Sequence, residues 1–73
     1  MSTKAALMVY ARVVQALAAA GEEPEHLDHL HCQQMVESIN REFERLGVKI
    51  EEADLRRKSA LEIAEVITEK IAA

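Results

Sequence analysis

The sequence has few of the residues that cross-link a chain or interrupt its regular structure. Its 73 residues include one cysteine, one proline, two glycines and no tryptophan, and aromatic residues amount to 3%. A single cysteine cannot close a disulfide within the chain, which is typical of proteins in a reducing compartment. With so little proline and glycine, long helices are favoured over turn-rich β structure.

The charge balance and the hydrophobic pattern argue against two classes of partner. The formal net charge is −4, and the one basic run is Leu-Arg-Arg-Lys at 55–58, so no basic face can follow a nucleic-acid backbone. The apolar segment after Lys4 is interrupted by Arg12 and Gln15, and it is too short and too polar for a membrane span. It also lacks a clear cleavage pattern for export. The sequence therefore predicts a cytoplasmic protein without nucleic-acid or membrane partners.

What remains is a composition of 49% apolar and 30% charged residues, which predicts one ordered domain of the all-α class. A chain this short buries only about 60% of its unfolded surface, so we expect a thin core. Helices are expected at about 2–20, 28–46 and 59–72, with a short helical turn at 51–57. This order predicts a small three- to four-helix bundle.

Apolar residues three or four positions apart predict the core face of each long helix. These rows are Leu7, Tyr10, Val14 and Leu17, widened by Val9, Val13 and Ala16, in the first helix; Val36, Ile39, Phe43 and Leu46, with Met35, in the second; and Leu61, Ala64, Ile67 and Ile71, flanked by Ile63 and Val66, in the last. Gly21 and Gly47 mark the ends of the first two helices. Ser59 and Glu62 have the spacing of a capping box, which predicts the start of the last helix.

Several short motifs follow one another in a recognisable order. They are Glu-Glu-Pro-Glu-His-Leu-Asp at 22–28, Val36-Glu37, Ile39-Asn40-Arg41, Leu-Gly-Val-Lys-Ile at 46–50 and Ser-Ala-Leu-Glu at 59–62. In this order they resemble the acyl and peptidyl carrier domains, particularly those of modular polyketide synthases. The resemblance covers most of the chain and implies a carrier-protein-like bundle.

The resemblance also implies a modification site at the start of the second helix, which this sequence lacks. In the carrier family a serine there bears a phosphopantetheine arm. Counting back from 46–50 puts Cys32 in the serine position, and alignment on Asp-x-Leu puts His29 there, while Ser38 lies too far inside the helix. Only His-Leu-His separates Asp28 from Cys32, so most of the loop that precedes the serine is missing too. The resemblance therefore implies a bundle that has lost its arm and holds no cofactor.

Three histidines and the cysteine crowd positions 26–32. In a helix, His26, His29 and Cys32 would form one strip with two imidazoles and a thiolate, which are ligands for zinc or copper. Structural zinc sites use four ligands with larger spacing between pairs, so we predict no metal site. The neighbouring His31 would favour a reactive thiolate at Cys32, but a chain this small has little room for a substrate pocket and offers no nameable acid partner. A half-buried apolar role is therefore favoured over catalysis. Protonated histidines would repel one another, and a pH response is a further hypothesis.

The leading interpretation is a non-catalytic domain that docks a protein, such as a biosynthetic enzyme of a polyketide or nonribosomal peptide assembly line. The expected surface is the start of the second helix, with Cys32, Met35 and Val36, although Met35 and Val36 equally suit core positions. The acidic segment 22–25 and the basic run 55–58 suit a contact that sets orientation. One alternative is an active acyl or aminoacyl carrier that uses Cys32 as its thioester site. Another is a stand-alone homodimer that pairs through its first helix.

Overall fold

The computed structural model describes residues 3–28 and 31–72, and it confirms the expected small all-α bundle. In these two ranges four α-helices follow one another: α1 (Thr3–Ala19), α2 (Cys32–Glu42), α3 (Glu52–Leu55) and α4 (Ala60–Ala72). A 3₁₀ turn at Glu44–Leu46 lies between α2 and α3. No named strand occurs in the two described ranges. None of the helices described there is both long and apolar enough to cross a membrane.

The helix α1 packs against both α2 and α4. Two contacts show that it runs antiparallel to α2: the contact with the later residue of α2 involves the earlier residue of α1. The hydroxyl of Ser38 donates to the carbonyl O of Ala16 at 2.6 Å. Nearer the start of α1, Arg12 Nη1 lies 3.3 Å from Glu42 Oε1. These two contacts fix the register of α2 on α1.

An apolar core lies between the helices. Its buried side chains come from α1, α2, α3, α4 and the segment after Gly47: Val13, Ala16, Leu17, Met35, Ile39, Phe43, Val48, Ile50, Leu55, Ala60, Ile63, Ala64 and Ile67. Val48 and Ile50, which follow Gly47, both reach this core, as their alternation with Lys49 predicts.

The predicted capping box at the start of α4 is confirmed. The backbone N–H of Ser59 donates to Glu62 Oε1 at 3.0 Å, and the backbone N–H of Glu62 donates to Ser59 Oγ at 3.2 Å. Each side chain therefore satisfies a backbone donor that the first turn of the helix leaves without an intrahelical acceptor.

The helix α2 is shorter than predicted. Asp28 is not helical, and α2 begins at Cys32 with His31 as the residue before it. Residues 29 and 30 lie outside the described ranges. At its other end α2 stops at Glu42, and the chain tightens into a 3₁₀ turn before Gly47, whose φ of 70° is left-handed. This tighter turn breaks the α-helical row, so Leu46 is 58% exposed and its prediction as a core residue was wrong.

Three other large side chains that the sequence placed in the core lie at the surface. Leu7 is 62% exposed, Leu61 58% and Ile71 38%. In α4 the buried row begins at Ala60, and Leu61 is turned about 100° away from it. Leu7 lies roughly 120° around α1 from the buried Val13. Leu17, Ala64 and Ile67 of the same rows are buried as predicted, so the rows overlap the covered face and only their outer members lie beside it.

Candidate docking surface at the start of α2

The segment between α1 and α2 is organised by a buried carboxylate. Gly21, with a φ of 82°, ends α1. Glu22 is only 5% exposed, and its Oε1 accepts the backbone N–H of Asp28 at 3.2 Å. Between them, the backbone N–H of His26 donates to the carbonyl O of Glu23 at 2.9 Å. The carboxylate of Glu22 thus joins the two ends of the turn that leads toward α2.

The first turn of α2 presents a mainly polar surface. Cys32 is half-buried and packs against the core, and the backbone N–H of Met35 donates to the carbonyl O of His31 at 2.9 Å. The side chains around Cys32 that reach solvent are polar or charged: His31, Gln33, Gln34 and Glu37. With Cys32 they line one shallow depression. We call these five residues the α2 entry surface.

The two hydrophobic residues predicted beside Cys32 have different positions. Met35 has no exposed surface and lies within the core, so the prediction that it contacts a partner was wrong and its alternative as a core residue holds. Its side chain cannot reach a partner while the bundle stays folded. Val36 is half-buried and also packs against the core. Of the three residues predicted to contact a partner, Cys32 and part of Val36 remain accessible.

The histidine–cysteine strip does not form as one continuous helix. His26 lies in the turn after α1 and pairs with Glu23 as an isolated β-bridge, whereas Cys32 begins α2. His29, the middle member of the strip and the second candidate for the serine position, lies outside the described residues. Within residues 3–28 and 31–72, no group of three or more His, Cys, Asp or Glu side chains is arranged to hold a metal ion.

The basic run at 55–58 forms the turn between α3 and α4. Leu55 is buried, and Arg56 lies 3.5 Å from Glu52 in an exposed pair one helical turn apart. Arg57 is exposed and has a left-handed φ of 61°. An exposed pair of this kind contributes little to stability. The run is therefore mainly a solvated connection, anchored by one apolar side chain.

A second surface was not predicted from the sequence. A groove of about 540 Å³ lies between the first half of α1 and the end of α2. The residues that line it include the apolar Met8, Phe43 and Leu46 and three arginines, Arg12, Arg41 and Arg45. The residue that could have indicated the exposure of Leu46 from the sequence is Gly47. A glycine at this place commonly ends a helix, so the helical periodicity that predicted a buried Leu46 does not extend to it.

No family model matches this chain, and neither the curated proteins nor the solved structures include a match to it.

Proposed function

We propose that this protein is a non-catalytic, carrier-protein-like docking domain that acts within a polyketide or nonribosomal peptide assembly line. The observation that supports this most directly is the position of Cys32 as the first residue of α2. Carrier domains have their arm-bearing serine at the start of the corresponding helix. A thiol is a poor replacement, because the transferase positions a serine oxygen for attack on phosphorus, and a thiophosphate ester is a more labile product.

The helix order supports the same proposal. An acidic exit follows α1, α2 leads into Leu-Gly-Val-Lys-Ile, and the short α3 precedes a capped α4. Two residues of the apolar motif, Val48 and Ile50, are core residues, and Asn40 forms hydrogen bonds with the backbone of Ile50. The resemblance in sequence therefore falls on residues that maintain the bundle. This favours retention of a carrier-like scaffold after the modification site was lost.

The α2 entry surface is suited to protein contact. It combines two amides, an imidazole and a carboxylate around the half-buried Cys32. Ser38 and Glu42 join the same helix to α1, so these side chains project from an element that is held in place. Polar groups on a fixed helix set the orientation of a partner at limited entropic cost.

The first test is mass spectrometry before and after incubation with a broad-specificity phosphopantetheinyl transferase and coenzyme A. We expect no change in mass. A gain of one arm would overturn the docking proposal and indicate a carrier that is modified on an unexpected residue.

The second test measures binding of the immobilised protein to isolated ketosynthase and condensation domains. We expect at least one of them to bind, and Glu37→Lys to weaken that binding because it reverses the charge at the α2 entry surface. Glu69→Lys, the same change at an exposed glutamate on α4 outside the α2 entry surface, is the matched control and should leave binding unchanged. Failure of every domain to bind, or equal effects of the two variants, would contradict the proposal.

The active carrier that uses Cys32 as a thioester site remains a second prediction. It requires the half-buried thiol to attack an acyl thioester, forming a new thioester and releasing the donor thiol. Incubation with an acyl-coenzyme A should then add one acyl group that hydroxylamine removes, and Cys32→Ser should prevent the addition. The docking proposal expects no such mass.

A further inference from the structure

The groove between α1 and α2 exposes large apolar side chains on a small protein. Met8 and Leu46 are each 58% exposed, and with Phe43 they line the groove. Soluble monomers commonly expose single apolar residues, but a contiguous apolar groove is more typical of an interaction site. We call Met8, Phe43, Leu46, Arg12, Arg41 and Arg45 the basic groove.

The charge of this groove is opposite to that of the chain. Arg12 is paired with Glu42, whereas Arg41 and Arg45 are exposed and make no ion pair with the described residues. Glu44 also lines the groove, so the lining contains three arginines and two glutamates, Glu42 and Glu44. The groove is therefore locally positive in a chain whose net charge is −4.

The chain carries a complementary surface on α4. Leu61 is 58% exposed, and with Ala6 and Ala64 it lines a shallow apolar depression. Glu65 and Glu69 follow Leu61 at spacings of one and two helical turns and line the same depression. Both carboxylates are exposed and make no ion pair with any residue in the described ranges. We call Leu61, Glu65 and Glu69 the acidic face of α4.

We infer that the basic groove of one copy binds the acidic face of α4 of a second copy in a closed two-fold homodimer. Leu61 of the second copy would cover Met8 and Leu46, with Glu65 and Glu69 near the arginines of the groove. A two-fold axis makes each contact occur twice, so both exposed apolar surfaces of both copies are covered together. The dimer uses none of the α2 entry surface residues, so it stands independently of the docking proposal.

The size of the interface supports the use of both surfaces. A standard interface removes roughly 800 Å² from each partner, which is about a sixth of the 5096 Å² that this chain exposes. The basic groove alone is too small to bury that much surface, so the interface needs the acidic face of α4 as well. The outer side of α1 adds further apolar surface, because Leu7 and Ala11 are exposed there. A thin core in a short chain also benefits from the extra burial that dimerisation provides.

Analytical ultracentrifugation across a wide concentration range tests the dimer directly. We expect a monomer–dimer equilibrium that weakens as the salt concentration rises, because exposed charges are screened. Arg45→Glu and Glu65→Arg should each raise the dimer dissociation constant about tenfold or more, since each places like charges together at both symmetric contacts. Circular dichroism checks that each variant keeps the helix content of the wild type.

Mixing the two variants gives the decisive measurement. A heterodimer of Arg45→Glu with Glu65→Arg has opposite charges at both contacts, so its dissociation constant should return to within about threefold of the wild-type value. The matched control is a mixture of Arg57→Glu with Glu25→Arg, which lie outside both surfaces, and each of these should dimerise as the wild type does. The inference is overturned by a monomer at every concentration, which would leave the groove to another protein. Assemblies larger than a dimer, or a mixture that does not recover, would overturn it as well.

Discussion

The side chain of Asn40 pairs with the backbone of Ile50 through two hydrogen bonds. The backbone N–H of Ile50 donates to Asn40 Oδ1 at 2.8 Å, and Asn40 Nδ2 donates to the carbonyl O of Ile50 at 3.1 Å. A side-chain amide has an acceptor oxygen and two N–H donors, so it can satisfy the backbone N–H and C=O of one residue at once. Asn40 thereby attaches the segment after Gly47 to α2 and holds the side chain of Ile50 in the core.

Replacing Asn40 should destabilise the bundle. Asn40→Ala removes both hydrogen bonds and leaves two partly buried backbone groups without their partner, so we expect a loss of roughly 2–3 kcal/mol in the free energy of unfolding. Asn40→Asp keeps the acceptor but not the donor and should fall in between. Urea denaturation measures the loss, and Gln33→Ala, an exposed change on the same helix, should stay within about 0.5 kcal/mol of the wild type. Equal effects of the two alanine variants would show that the pairing contributes nothing.

Two methionines allow the core position of Met35 to be tested with identical substitutions. Met35 has no exposed surface, whereas Met8 is 58% exposed. Met35→Ala should cost about 2–5 kcal/mol by removing buried surface and leaving a cavity. Met8→Ala should cost less than about 1 kcal/mol at protein concentrations where the chain is monomeric. Thermal melts at low concentration compare the two, and an unchanged melting point for Met35→Ala would return Met35 to the list of contact residues.

The sequence was sufficient for the helix order because its signals there are local. Ser59 and Glu62 lie within one turn, and the left-handed Gly47 ends the helical region before Val48 and Ile50. Such signals depend on a few neighbouring residues and not on what packs against them. They predicted the start of α4 to within one residue.

The exposed leucines could not be predicted in the same way. Leu61 belongs to a row with helical spacing, yet the row that the other helices cover begins one residue earlier, at Ala60. Periodicity gives the width of an apolar face, while the tertiary contacts of the whole bundle decide which part of that face is covered. The start of α2 was similarly unpredictable. The side chain of Glu22 accepts the backbone N–H of Asp28, six residues further along the chain, and this contact holds Asp28 outside the helix.

Glu62 should make stability depend on pH in a defined direction. The backbone N–H of Ser59 donates to its carboxylate and lowers its pKa below the ordinary value of 4.5, and the Ser59 hydroxyl and the charge of Lys58 act in the same direction. A carboxyl with a lowered pKa contributes stability that is fully present above 4.5 and is lost as the pH falls through the lowered value. The stability difference between the wild type and Glu62→Gln should therefore be present at neutral pH and shrink in acid.

Urea denaturation at neutral pH and near pH 3 measures that difference for Glu62→Gln. Glu37→Gln is the matched control, because Glu37 is an exposed glutamate on α2 outside the capping box. A difference for Glu62→Gln that stays constant down to pH 3 would contradict the role of its charge. The same result for both variants would mean that the effect comes from general surface charge and not from the cap.

The turn before α2 depends on a carboxylate that is almost completely buried. Glu22 is 5% exposed and accepts the backbone N–H of Asp28, so a buried side chain holds the short connection between α1 and α2. Glu22→Ala removes this acceptor and should cost about 1–3 kcal/mol. The amide of Asp28 should then exchange with solvent at least about tenfold faster. Glu22→Gln retains a carbonyl acceptor and should lose less.

Amide hydrogen exchange by NMR distinguishes this local role from general loss of stability. In Glu22→Ala the faster exchange should concentrate at Asp28 and its neighbours, while amides of α4 change only as far as global stability falls. Glu23→Ala, an adjacent exposed residue, is the control and should leave the Asp28 amide protected. Unchanged exchange at Asp28 would mean that other contacts hold the turn. If exchange does rise there, partner binding at Gln34 and Glu37 should weaken in the same variant, because the turn positions the first residues of α2.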